Sequence, residues 1–297
     1  MIDTDWDVVV VGRSFAGLSA ALTLGRVRRS VLVIGSGGPR NSAVLHAHGL
    51  LTRDGANPKQ LVDAAEADLV KYPSVELVDG RVTAIEGEDG GFQITFDGRT
   101  STAAKVILAT GVNDDPVPIP GLAEHWGRGV FTCPFCDGFE HQDLPLAVVG
   151  DPHIASHGAR LLTALSDRVT LYATALPPDV HTLLDAAGVT VEGRDVVRVV
   201  GDGAVVTSLD LADGTRSPTA AVFAAGTPHP NNQLALALGC SVDDLGYVAV
   251  DATGRTNLAG VWAAGDLTSM RHQMSIAIAQ GSSAGADCAM TLILGSG

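Results

Sequence analysis

Val8-Val9-Val10-Val11-Gly12-Arg13-Ser14-Phe15-Ala16-Gly17 runs from an unbroken β-branched segment straight into a glycine-bounded turn. Such a run, without polar alternation, is the pattern of a parallel strand buried on both faces. The turn is a G-x-G-x-x-G fingerprint with its middle glycine replaced by Ser14. Gly12 makes the tight reversal, the backbone then approaches a pyrophosphate, and Gly17 lets the following helix pack closely on the strand. Ser14 is small enough to keep most of that approach, and the helix N-terminus supplies amides and partial positive charge. Apolar residues at helical spacing over 18–27 and a second strand at Val31–Ile34 complete a βαβ unit. An acid ordinarily ends this second strand and holds a ribose; here Gly35-Ser36 stands in its place, and Ser36 offers one hydroxyl instead.

Beyond this unit, 56–72 reads as a helix, and 75–85 and 92–96 alternate like antiparallel strands around Asp89-Gly90-Gly91. Ala104–Ala109 is a further buried strand ending at Thr110-Gly111. A proline-rich stretch over 112–120 marks a linker, after which the pattern restarts: strand 145–149, turn 150–155, helix 157–165, strand 168–172. A second proline-containing crossing falls at 226–232, followed by strand 260–263, turn Ala264-Gly265-Asp266 and helix 273–293. Two βαβ units with two crossings predict an α/β fold of two nested Rossmann-like, three-layer domains. The outer domain is expected at 1–114 and 230–297, the inner one at 115–229.

The 297 residues suit two domains. Thirty-three acids against 19 bases give a net charge of −14, which disfavours nucleic acid as a partner because phosphate binding needs clustered cations. No apolar run approaches the ~20 residues that span a bilayer, and the acidic start lacks the basic region of a signal peptide, so a cytoplasmic protein without a membrane partner is expected.

Cys133-Pro134-Phe135-Cys136-Asp137 is the sharpest chemical feature. Two thiols at this spacing form a cycling disulfide, and a neighbouring acid moves protons. Zinc needs four ligands, and neither Cys240, Cys288 nor His141 supplies a second half-site, so no metal is expected; a purely structural pair is the other alternative. Cys240 and Cys288 read as small hydrophobes. The second turn, Gly150-Asp151-Pro152-His153-Ile154-Ala155, keeps its first glycine but has proline at the middle position and an acid facing any phosphate. No basic residue follows between Val169 and Gly193 to meet a 2′-phosphate. The inner domain is therefore either dinucleotide-binding in shape but poor in nicotinamide chemistry, or carries a merely structural turn. Trp262-Ala263-Ala264-Gly265-Asp266 delivers a carboxylate and amides to a helix start and, with the first turn, completes a flavin site.

Across essentially its whole length the chain resembles the low-molecular-weight thioredoxin reductase family. The resemblance rests on Gly12–Gly17, Ala109-Thr110-Gly111, Cys133–Asp137 ahead of Gly150–Ala155, and Ala264-Gly265-Asp266 followed by His272-Gln273-Met274. Gly37-Gly38-Pro39-Arg40-Asn41, His46-Ala47-His48-Gly49 and Cys-Pro-Phe-Cys further resemble a subgroup that includes FAD-dependent dithiol oxidases of the gliotoxin and holomycin type. The resemblance implies FAD and a homodimer. Gly12, Ser14, Phe15, Ala16 and Gly17 would cradle the pyrophosphate, with Ser36, Thr110 and Gly111 nearby, and Val82 would meet the adenine. Gly265 and Asp266 would hold the ribityl chain, and His272, Gln273 and Met274 would lie along the isoalloxazine. Arg40, Asn41 and His48 have either flavin-side roles or, for His46 and His48, those of ordinary loop histidines. Cys136 would face the flavin, Cys133 would meet substrate, and Asp137 would be the acid/base. The expected reaction is oxidation of a dithiol to a disulfide with O2 as acceptor. The alternatives are NADPH- or ferredoxin-driven reduction of a thioredoxin-like protein, with NADPH binding weakly, and a flavin-binding sensor without turnover.

Overall fold

The computed structural model describes residues 5–35, 38–115, 117–202 and 205–295. Within them the chain is mixed α/β, with parallel sheets in two compact units. The first strand, β1 (Trp6–Val11), feeds α1 (Phe15–Arg26) and β2 (Val31–Gly35). Val8–Val11 pair in parallel with Val31–Ile34 on one side and Lys105–Leu108 on the other, so the β-branched run is buried on both faces. Residues 43–57 group with the second unit, whereas the sequence pattern assigns them to the outer domain. The chain then returns for α2 (Pro58–Leu69), β3 (Val75–Asp79), β4 (Val82–Glu88), β5 (Gly91–Phe96), β6 (Arg99–Leu108) and the short β7 (Val112–Asp114). The expected strand over 75–85 is thus two strands. Gly80 splits them, its amide donating to the Gly35 carbonyl at 3.0 Å.

The second unit adds β8 (Val130–Phe131), α3 (Pro134–Asp137), β9 (Leu146–Gly150), α4 (Pro152–Leu162), β10 (Val169–Tyr172), α5 (Pro178–Ala186) and β11 (Thr190–Glu192). These are followed by β12 (Val196–Gly201), β13 (Val206–Leu211), β14 (Arg216–Pro218) and β15 (Ala221–Ala225). Its parallel sheet has the order β11-β10-β9-β15-β8, and β12-β13-β14 form a separate antiparallel sheet. Leu122, Val149, Leu209 and Val222 pack into one core cluster of this unit, Leu146, Ala159, Leu162 and Phe223 into another. Helix α4 begins at Pro152 rather than 157, because proline suits the first helical turn and the Asp151 carboxylate caps it.

The last segment, β16 (Pro228–Pro230), α6 (Gln233–Leu238), β17 (Val261–Ala263) and α7 (Met274–Leu294), completes the first unit. Its sheet runs β3-β2-β1-β6-β5-β4, with β17 also pairing in parallel with β6. Helix α7 lies on α1 through two glycines: a Cβ at Gly281 would stand 2.0 Å from the Ala16 carbonyl oxygen, and one at Gly285 2.7 Å from that of Ala20. Buried between strand and helix, the Trp262 indole N–H donates to Asp287 at 2.8 Å, and Arg255 pairs with the same carboxylate at 2.6 Å.

Candidate active site

In the first unit the turn after β1 leaves no room for a side chain at either of its glycines. Gly12 sits at φ +122°, and a Cβ there would stand 2.1 Å from the Ala109 carbonyl oxygen; one at Gly17 would stand 1.8 Å from the Gly12 oxygen. Ser14 is the extended residue before α1 and spends no side-chain hydrogen bond on capping it. The first-turn amides of a helix have no intrahelical acceptor, so this end is open to an anion. Position 35, where a ribose-binding acid is ordinarily found, is closed: a Cβ there would lie 2.6 Å from the Arg13 amide nitrogen. Arg13 is itself held by both Glu66 oxygens, at 2.7 and 2.8 Å, and by Asp79 at 2.8 Å. Ser36 lies outside the described residues.

The other expected flavin-side residues of this unit are placed by specific bonds. Thr110 Oγ1 donates to the Asn231 carbonyl at 2.7 Å and the Asn231 amide returns to the Thr110 carbonyl at 2.9 Å, fixing Thr110-Gly111. Val82 opens β4, two residues beyond the Gly80–Gly35 contact. Gly265, at φ +78°, donates its N–H to Gln280 Oε1 at 2.9 Å, so α7 holds the turn that carries Asp266. Arg40 reaches Asp266 at 3.1 Å, and the Asn41 amide reaches the Met274 sulfur at 3.5 Å. His272 meets the Tyr247 hydroxyl at 3.3 Å, and Gln273 precedes the first turn of α7. Sequence patterns do not point to Gln280, Asn231 or Glu66. Each acts through a turn far away in the chain, and no local motif announces such a partner. A tight glycine-bounded turn at an open helix start, with a carboxylate and an arginine in the same unit, fits a flavin dinucleotide.

In the second unit Cys133 and Cys136 form a disulfide across α3, with Cα atoms 5.2 Å apart. Pro134 starts the single turn, and the Cys136 and Asp137 amides both donate to the Cys133 carbonyl, at 3.1 and 3.2 Å. Gly138 ends it without a side chain, since a Cβ there would meet the Pro134 oxygen at 2.4 Å and Leu165 at 2.5 Å. Asp137 is partly buried beside the pair. Burial, then the nearby Glu140 charge, pushes its carboxyl up to about 7, against a lesser opposing pull from His48. His141 is spent on structure: Nδ1 meets the Asp137 carbonyl at 2.9 Å and its ring lies 5.1 Å from that of Phe131. Among the described residues no group of His, Cys, Asp and Glu is arranged to hold a metal ion.

His48 groups with this unit. Its Nδ1 lies 3.5 Å from Asp54 and its Nε2 3.4 Å from Glu140. Cys240 and Cys288 are buried and free; burial raises both thiols, Cys288 to about 12. At β9, Gly150 has the φ of +117° and close approach to the Ala225 oxygen that a dinucleotide turn needs. The helix start beyond it, however, is taken by the chain itself. Asp151 Oδ1 accepts the His153 amide at 2.9 Å and the Ile154 amide at 3.2 Å, and Pro152 has no amide to offer. A cavity of about 210 Å³ next to Gly150 includes Arg194 in its lining, but that guanidinium is already bound by Glu192 at 2.5 and 2.9 Å and by Asp213 at 2.9 Å.

A family model described as pyridine nucleotide-disulphide oxidoreductase matches residues 6–283. A probable thioredoxin reductase of Arthroderma benhamiae is 38% identical over 186 residues, 60% of this chain but only 46% of that protein. The thioredoxin reductase aclD of Aspergillus oryzae is 31% identical over 296 residues, 93% of each chain. The crystal structure of HlmI is similar with a TM-score of 0.93 at 34% identity, covering 98% of this chain and 93% of that one.

Proposed function

This chain belongs to the pyridine nucleotide-disulphide oxidoreductase family, and from that premise we propose that it is an FAD-dependent oxidoreductase that closes a dithiol to a disulfide, with O2 as acceptor and hydrogen peroxide as co-product. FAD, when bound, supplies the two-electron acceptor. The chain's own residues handle the sulfur and the protons. A substrate thiol gives its proton to ionised Asp137 and attacks Cys133 as the thiolate, the Cys133–Cys136 bond breaks, and Asp137 passes that proton on to the departing Cys136 sulfur. The second substrate thiol then attacks the mixed disulfide, releasing Cys133 as a thiol and the substrate as a disulfide. Two hydrogens have passed from substrate to the pair. With its carboxyl near 7, Asp137 is present in both forms at neutral pH, as a group that accepts and returns a proton must be.

The observation that carries the direction of flow is the self-capped start of α4. The amides that would greet a pyridine nucleotide phosphate are bonded to Asp151, whose charge also repels it. Electrons therefore enter from the dithiol side. The FAD site is assigned to Gly12–Gly17, Arg40, Asn41, Thr110, Gly111, Gly265, Asp266 and Met274. The substrate is a small dithiol, with a thioredoxin-like protein as the alternative partner, and the protein works as a cytoplasmic homodimer. Anaerobic mixing of the yellow protein with dithiothreitol, NADPH and NADH in turn tests the proposal. Dithiothreitol should bleach the flavin rapidly and NADPH slowly. Rapid bleaching at micromolar NADPH overturns the oxidase reading in favour of a reductase.

A further inference from the structure

The segment 43–57 leaves the first unit, joins the second, and returns, and its His48 imidazole faces a carboxylate at each ring nitrogen. Asp54 fixes the loop by accepting the Gly49 amide at 2.8 Å on Oδ1 and faces His48 Nδ1 at 3.5 Å with Oδ2. The opposite ring nitrogen faces Glu140 at 3.4 Å, three residues beyond Asp137. A ring with a carboxylate at each nitrogen can donate from either side. Its side chain is only 21% exposed, so its influence on neighbouring groups is incompletely screened, whereas Asp54 stands in solvent at 69%.

We propose that His48 is a positioning residue for thiol–disulfide exchange: clamped between Asp54 and Glu140, its ring opposes the effect of Glu140 on Asp137 and so sets the pH at which Asp137 trades protons with the cysteine pair. On its own loop Asp54 faces the ring, while His46 is tied to the Gly55 carbonyl at 3.0 Å and Arg53 turns to the Thr52 carbonyl at 3.0 Å. From the segment around α3 Glu140 faces it and Asp137 feels it through charge, while His141 is bonded to the Asp137 carbonyl. The two neighbours act on Asp137 in opposite senses, Glu140 favouring the protonated carboxyl and His48 the ionised one. The role holds for exchange in either direction, so it stands apart from the oxidase reading.

The test uses the intact flavoprotein and reads Asp137 directly, through the infrared band of its protonated carboxyl, identified by its absence from Asp137→Asn. In the wild type the band should disappear around pH 7. His48→Gln should move the disappearance upward by about one pH unit, Glu140→Gln downward, and Asp54→Asn upward by less. One unit is about tenfold in the protonated-to-ionised ratio. The rate of Cys133–Cys136 reduction by dithiothreitol at neutral pH, relative to wild type, should follow the same order. His48 and Glu140 variants that leave the band in place, or move it in the same direction, overturn the proposal. Should His48→Gln fail to fold, the surface variant Asp54→Asn decides the matter: an upward shift supports the clamp, and no shift or a downward one overturns it. Failure of the oxidase reading would appear in rapid flavin bleaching by NADPH or in absent oxygen consumption and would leave these shifts intact.

Discussion

Asp137 carries a stability signature as well as a chemical one. Its carboxyl is raised from an ordinary 3.8 to about 7, so between those values the folded chain binds more protons than the unfolded one. The contribution is fully present below about 3.8, fades as pH rises, and is gone above about 7. Asp137→Asn, which stays neutral, should therefore match wild type in thermal unfolding at pH 3.5 and exceed it at pH 8, while losing dithiol turnover about a hundredfold or more. Equal melting differences at the two pH values would contradict the raised carboxyl. The pair and its acid are readable from five consecutive residues, because a C-x-x-C turn and the acid after it are local. From sequence His48 reads as a loop histidine or a flavin-side residue. Its partner Glu140 lies 92 positions on, and only the fold brings the two together.

At the scale of elements, two helix starts look alike in sequence and behave differently. That of α1 is bare, whereas that of α4 is capped by Asp151. Asp151→Ala should cost about 1 kcal/mol of stability through loss of the cap, and should raise NADPH-driven flavin reduction severalfold by freeing two amides. If stopped-flow traces with NADPH are unchanged, Asp151 is not what excludes the nucleotide. Helix α7 makes a second element-scale prediction. Alanine favours a helix over glycine by about 1 kcal/mol, but at Gly281 the added carbon would overlap the Ala16 carbonyl. Overpacking costs about 1–3 kcal/mol, so Gly281→Ala should lower the melting temperature and weaken FAD retention. Apolar periodicity alone locates α7 to within a residue at each end. The start of α4 is misplaced by five residues because proline and the short polar residues around it read as a turn. The small sheet of β12, β13 and β14 escapes a reading by pattern although its strands pair in sequence order, since register shifts between β12 and β13 break the alternation.

At the scale of the whole molecule, a net charge of −14, with Asp54, Asp137 and Glu140 in the unit of the cysteine pair, should discriminate among substrates by charge. The Debye length falls from about 30 Å at 0.01 M salt to about 8 Å at 0.15 M. An anionic dithiol such as dimercaptosuccinate should accordingly react severalfold faster in the higher salt, with dithiothreitol nearly unaffected. Equal salt responses would mean that the pair does not feel the protein's field. The two-unit architecture is evident from the repeated strand–turn–helix pattern and its proline-rich crossings, both of which are properties of contiguous sequence. The excursion of 43–57 is not, because nothing in that loop's composition says which core it leans on. That excursion has a bearing on how such proteins are recombined. A chimera made by exchanging 114–228 between two relatives would transplant the cysteines, Asp137 and Glu140 but leave the recipient's own histidine loop behind. The graft would be whole to the eye and mismatched in its proton chemistry, and only by moving 43–57 along with it would the donor's pH behaviour be inherited.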